Sequence, residues 1–396
     1  MQSWPSLVDQ DVHGKRLLIR EDFNVPMEHG KISDHSRLDR ALPTIKWALQ
    51  HNAAVILCSH LGRPQEGQFD PAFSLAPVAE ALSASVGQEV LLVQNYLDGV
   101  EVEPGQVVLL ENVRFNIGET ANDDILSQRL ASLCDLFVMD AFATAHRAQA
   151  STAGVAEFAA AACFGPLMLE ELAALGQALD QPASPLIAVV GGAKVSTKIQ
   201  LLESLVHKVD TLIVGGGIAN TFLKAAGYDV GRSLYEEEFV ALAQSILAEA
   251  QRLGVRIPLP TDVRVAAAFS AEASAKITSI ELMSSEDMIL DVGPQTAATY
   301  AQMMQQAATV VWNGPVGVFE FAAFADGTRL LGEAIAASPG YTLAGGGDTL
   351  AACSAFQLSD QLSYISTGGG AFLSYLQGDL LPAVAAIQNK ENQYVR

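Results

Sequence analysis

The stretch AAVILCSHLGRP (residues 53–64) runs apolar and β-branched as far as Cys58, then changes to Ser59, His60, Leu61, Gly62, Arg63 and Pro64. Apolar residues on both faces read as a strand buried inside a parallel sheet. Gly and Pro explain why the strand stops, but not why a histidine and an arginine stand there. The sharper reading is that this strand end faces a ligand carrying negative charge.

The same grammar recurs along the chain. Short apolar runs, RLLIR (16–20), AVILC (54–58), VLLV (90–93), VVLLE (107–111) and LFVMD (136–140), alternate with helical patterns. A second series follows: LIAVV (186–190), TLIVG (211–215), MILDV (288–292), TVVWN (309–313), TLAGG (342–346) and YISTG (364–368). Segments such as EFVALAQSILAEAQRLG repeat apolar residues at helical spacing and end on glycine. The expected fold is α/β, with parallel sheets covered on both faces by helices. Residues 163–185 read as a long helix followed by a Pro-bearing break, and the expected division is 1–170 and 171–379.

The 396 residues allow two domains, and with half of them hydrophobic a large core is accessible. A net charge of −21 argues against nucleic-acid or anionic-membrane partners, which need a basic face. Cys58, Cys134, Cys163 and Cys353 lie far apart among apolar neighbours, so buried reduced thiols are expected. The first residues lack a signal-peptide core and no uncharged run reaches membrane-helix length, which reads as a cytoplasmic protein.

In open parallel sheets, ligands bind beyond the carboxyl ends of the strands. In the first half those ends read EDFNVP, SHLGRP, NVRF and AFATAHR, delivering Asp22, Asn24, His60, Arg63, Arg114, His146 and Arg147, with Arg37 close behind the first. Any one of these arginines is explained by a surface ion pair. Several together repel one another unless an anion neutralises them, and the guanidinium fork suits carboxylate and phosphate oxygens. The implied ligand is small and multiply anionic.

Strand ends in the second half read GGAKVSTK, GGGIAN, GPQT, GPVGVFE, GGGDT and GGG. Glycine there lets backbone approach a ligand and helix N-terminal amides receive phosphate oxygens, although tight packing alone also wants glycine. GGGIAN misses the dinucleotide fingerprint at its last residue, and no Walker sequence is present. Among these loops stand Lys194, Lys198, Glu320 and Asp348. Asp348 is either a helix cap or a ligand for nucleotide-borne magnesium. Glu320 is either a solvated turn residue or a ribose contact, and Lys198 either a surface lysine or a partner for transferring phosphate.

Taken in order, REDFNVP, SHLGRP, ENVRF, DAFATAHRA, GGAKVSTKI, VGGGIANTF, WNGPVGVFE, GGGDT and STGGGAF resemble the phosphoglycerate kinase family over nearly the whole chain. The resemblance implies two Rossmann-like, doubly wound αβα domains joined by a long helix and hinge. It also implies a monomeric cytoplasmic glycolytic enzyme that moves a phosphoryl group between 1,3-bisphosphoglycerate and ADP. Magnesium with ATP or ADP is the implied cofactor, with no other.

Carried over by position, Asp22, Phe23, Asn24, Arg37, His60, Leu61, Gly62, Arg63, Arg114 and Arg147 resemble the phosphoglycerate site. Lys194, Lys198, Glu320, Gly346, Gly347, Asp348 and Thr349 resemble the nucleotide site, with Asp348 on the metal. Arg37 and Lys198 are the residues implied at the transferring group, and the tail 380–396 is implied to return to the first domain. Two positions depart from the pattern: Glu21, where valine is common, and Ala143, where glycine is. Two rivals stand beside this reading. A two-lobed anion-binding protein would need no second glycine-lined site, and a nicotinamide-dependent dehydrogenase would need a proper fingerprint.

Overall fold

A computed structural model describes residues 4–394, and its internal contacts divide the chain into two units, Met1–Ala173 with Leu380–Arg396, and Ala174–Asp379. The strands of the first unit are β1 (Arg16–Arg20), β2 (Met27–Glu28), β3 (Lys31–Ile32), β4 (Ala54–Cys58), β5 (Leu91–Val93), β6 (Val107–Leu110), β7 (Leu136–Met139) and β8 (Ala162–Phe164). Six of them form one parallel sheet in the order β5-β6-β4-β1-β7-β8, while β2 and β3 make a separate two-stranded ribbon. β4 and β6 are buried at every residue, as continuous apolar runs require. Leu17, Ile19, Val55, Leu57 and Val138 pack against Leu38, Ala41, Ile45 and Ala48 on the helix Ser36–Gln50. The chain winds to one side of β1 and returns on the other, so the topological switch lies between β1 and β7.

The second unit contains β9 (Leu186–Gly192), β10 (Thr211–Gly215), β11 (Asp262–Ala266), β12 (Lys276–Ser279), β13 (Met288–Val292), β14 (Thr309–Asn313), β15 (Tyr341–Gly345) and β16 (Tyr364–Ser366). Its main sheet is parallel in the order β10-β9-β14-β15-β16, with the switch between β9 and β14.

Two expectations need correction. MILDV does form a strand, but as β13 it pairs antiparallel with β11 in a separate sheet ordered β12-β11-β13. Cys163 does not open a helix. It is the middle of β8, and the helix runs Pro166–Leu179. The reason is local: proline suits a first helical turn, and the Asp140 carboxylate packs on Gly165 so closely that a Cβ there would lie 2.3 Å from its Oδ1.

All four cysteines are buried free thiols. The helix Pro382–Tyr394 lies in the first unit, where the Ala383 amide donates to the Ala145 carbonyl (3.2 Å) and Lys390 Nζ to the Glu157 carbonyl (2.9 Å). Residues 395 and 396 of the expected tail lie outside the described residues. Among the described residues no single helix is long and apolar enough to cross a membrane.

Candidate functional site

The turn after β4 is held from three sides. Asn24 Oδ1 accepts from the Gly62 amide (2.8 Å), Asn112 Nδ2 donates to the Leu61 carbonyl (2.8 Å), and Arg114 Nη1 donates to the Gly62 carbonyl. Ser59 Oγ accepts from the Phe23 amide and donates to the Glu21 carbonyl, both at 2.8 Å, which ties the β1 and β4 ends together. Gly62 has φ +60°, and a Cβ would sit 2.3 Å from the Phe73 ring, so any larger residue there would be strained and would displace that ring. Phe23 and Leu61 are buried, so their side chains serve the core and only their backbone borders the rim.

The arginines converge. Arg63, Arg114 and Arg147 line one cavity of about 360 Å³ together with Pro64, Glu66, Thr120 and Gln149. Burial lowers Arg114 to about 10, with Arg147, Arg20 and Arg63 adding repulsion and Glu119 opposing it. Arg147 is lowered too, by burial and then by Arg63. Arg114 is only 7% exposed, and its Nε is a buried donor without a hydrogen-bond partner. Arg147 Nε donates to His146 Nε2 (3.2 Å), and among the described residues Arg63 has no acidic partner.

Besides Glu119, two carboxylates bear on this positive site. Glu66 is occupied by the Gly118 amide (2.9 Å) and by the Thr120 amide and hydroxyl (2.8 and 2.6 Å). Arg37, exposed, is paired with Asp22, so a carboxylate already holds it, whereas among the described residues none is paired with Arg63, Arg114 or Arg147. His60 is 3% exposed, and burial followed by Arg20, Arg114, Arg147 and Arg37 drives its pKa far below the usual range.

Sequence reasoning missed Arg20. It closes β1 with no exposed surface, and its Nη2 lies 3.2 Å from His60 Nδ1. The signal was the arginine that ends RLLIR, which belongs to the strand itself and not to the loop after it. Glu21, the departure beside it, is fully buried with Oε1 unpartnered. Burial, then Asp140, pushes its carboxyl well above the usual range, against the pull of Arg20.

In the second unit, Lys198 Nζ donates to the Gly191 carbonyl (2.6 Å), the Asn313 carbonyl (3.2 Å) and Asn313 Oδ1 (2.7 Å). It therefore spans the ends of β9 and β14, the switch crevice of that sheet. Burial lowers it to about 8, with Asp348 pulling the other way. Asp348 is exposed in the first turn of the helix Gly347–Ala355 and makes no capping hydrogen bond. The neighbouring Thr349 Oγ1 accepts from the Gly314 amide (2.7 Å). Lys194 and Glu320 are exposed on their loops.

Several glycines here answer to packing. A Cβ on Gly191 would lie 1.8 Å from the Pro315 carbonyl oxygen, and one on Gly314 2.2 Å from that of Gly191. Gly347 differs, since a Cβ there would meet nothing within 4 Å. The GGGDT loop thus keeps open space over a helix N-terminus, the geometry that receives phosphate oxygens. Among the described residues no cluster of three metal-ligating side chains exists. Asp348 fits a cation that arrives with its other ligands, since magnesium needs only one or two protein carboxylates.

One α/β unit thus carries convergent guanidiniums, and the other a lysine that bridges its switch crevice. The family model for phosphoglycerate kinase matches residues 7–379. The phosphoglycerate kinase of Coxiella burnetii is 57% identical over 384 residues, 97% of this chain and 98% of that protein. A solved structure of phosphoglycerate kinase from Coxiella burnetii superposes with a TM-score of 0.96 at 56% identity, covering 98% of this chain and all of that one. The crystal structure of the kinase from Pyrococcus horikoshii OT3 gives 0.79 at 32% identity, covering 98% and 99%. The chain belongs to the phosphoglycerate kinase family, glycolytic phosphotransferases. The anion-binding-protein reading finds no support in these likenesses.

Proposed function

We propose that this chain catalyses reversible phosphoryl transfer from 1,3-bisphosphoglycerate to ADP, giving 3-phosphoglycerate and ATP. The observation that carries the reading is the cavity of Arg63, Arg114 and Arg147, where the mutual repulsion of the guanidiniums calls for a compact polyanion. Asp22, Asn24, Arg37 and His60 complete the triose site, with the backbone of Phe23, Leu61 and Gly62 shaping its rim. Lys194, Lys198, Glu320, Gly346, Gly347, Asp348 and Thr349 form the nucleotide site.

Phosphoryl transfer asks a protein for alignment and charge neutralisation more than covalent chemistry. Asp348 would hold magnesium, which neutralises charge on the nucleotide phosphates when bound. Lys198 and Arg37 supply the protein's positive charge at the moving group. Arg37 reaches that role by exchanging Asp22 for phosphoryl oxygens. Transfer is direct and in line, without a phosphoenzyme, after closure of the two units about a hinge. The protein acts as a cytoplasmic monomer without nucleic-acid or membrane partners.

A coupled assay with 3-phosphoglycerate and MgATP should show turnover. In thermal-shift experiments 3-phosphoglycerate and MgADP should each stabilise the protein and NAD should not. No turnover, or stabilisation by NAD alone, rejects the reading.

A further inference from the structure

Arg20 belongs to a buried relay. Its Nε donates to Ser151 Oγ (3.1 Å), its Nη1 to the Glu21 carbonyl, and its Nη2 faces His60 Nδ1 at 3.2 Å. Ser151 Oγ in turn donates to Glu119 Oε1 (2.5 Å), and the Ser151 amide donates to Glu119 Oε2 (3.0 Å). Glu119 and Ser151 are both buried, and neither lines the arginine cavity.

Guanidinium nitrogens carry only donors. His60 Nδ1 must therefore accept, which leaves the ring hydrogen on Nε2 and makes the imidazole neutral. An imidazolium would set two N–H groups against each other. We propose that Glu119 and Ser151 are positioning residues, acting through Arg20 to hold His60 as a neutral hydrogen-bond donor protonated on Nε2. The charges facing His60 are Arg20, Arg37, Arg114 and Arg147. A neutral donor adds a hydrogen bond among them without a fifth positive charge. Glu119 supplies a counter-charge to Arg20 from behind, through a hydroxyl, and leaves the cavity arginines free for the ligand. This deepens the triose-site reading and rests on it for the ligand readout alone.

The test uses the full-length protein with ¹⁵N-labelled histidine. Wild-type His60 should show an unprotonated Nδ1 and a protonated Nε2, unmoved between pH 5.5 and 8.5. Ser151→Ala should mix the tautomers and weaken 3-phosphoglycerate binding by roughly five- to thirtyfold. Its MgADP affinity should be unchanged, and Ser151→Thr, which keeps the hydroxyl, should restore the wild-type spectrum. A wild-type His60 that carries hydrogen on Nδ1, or titrates in that range, overturns the relay whether or not the variants fold. So does Ser151→Ala with spectrum and affinity intact. A wild type that fails to bind 3-phosphoglycerate sinks the triose reading instead, while the spectrum still decides the tautomer.

Discussion

Lys198 is placed where its charge is easily lost. Three acceptors surround Nζ, which favours the ammonium, while burial disfavours it and brings the group down to about 8. If the charged form serves the moving phosphoryl group, kcat/KM should be level below about pH 8. It should then fall tenfold per unit above it, because deprotonation removes the cation. Lys198→Arg, whose group stays protonated past pH 12, should lower activity yet abolish that falling limb. Superposable profiles for the two enzymes would show that the limb has another owner. Lys198 itself was legible, because it follows a glycine-rich strand end. Arg20 was not. A strand-terminal arginine looks like any residue entering solvent, and only the approach of Ser151, 131 positions away, and His60 buries it.

At the level of elements, strand ends carry the sites and helix termini depend on distant residues. The helix Pro294–Met304 starts after Gly293, which has no side chain to cap it. The cap comes from β11: Asp262 accepts from the Gln295 amide (3.0 Å), the Thr296 amide (2.8 Å) and the Thr296 hydroxyl (2.7 Å). Asp262→Ala would orphan the buried Thr296 amide and the part-buried Gln295 amide, costing about 2–3 kcal/mol. The melting of the second unit should then fall by roughly 4–12 °C, with Asp262→Asn losing less. Calorimetry with no shift would mean water replaces the carboxylate. The parallel strands were readable because both faces are buried, leaving unbroken apolar runs. β12, KITS, is exposed or half-buried throughout and gives no such run. β13 does give one, yet composition cannot say whether its partner runs parallel or antiparallel.

For the whole molecule, direct transfer imposes a condition that neither unit meets alone. Reacting atoms must approach to about 3 Å. Every residue proposed for the triose lies in Met1–Ala173 and every one for the nucleotide in Ala174–Asp379. Each ligand alone gives its own unit nothing to bridge, whereas the two anions together bring negative charge to the reacting centre that calls for positive groups from both units. Closure should therefore need both. Small-angle scattering is expected to show no change in radius of gyration with 3-phosphoglycerate or with MgATP separately, and a decrease with the two combined. Arg37→Ala, which removes one of the charges proposed to act on the moving group, should reduce that decrease and lower kcat far more than affinity for 3-phosphoglycerate. Compaction with one ligand alone would assign closure to binding and not to assembly of the reacting pair. An unchanged radius with both ligands in an active enzyme would place the catalytic geometry in the resting arrangement and remove the hinge from the mechanism.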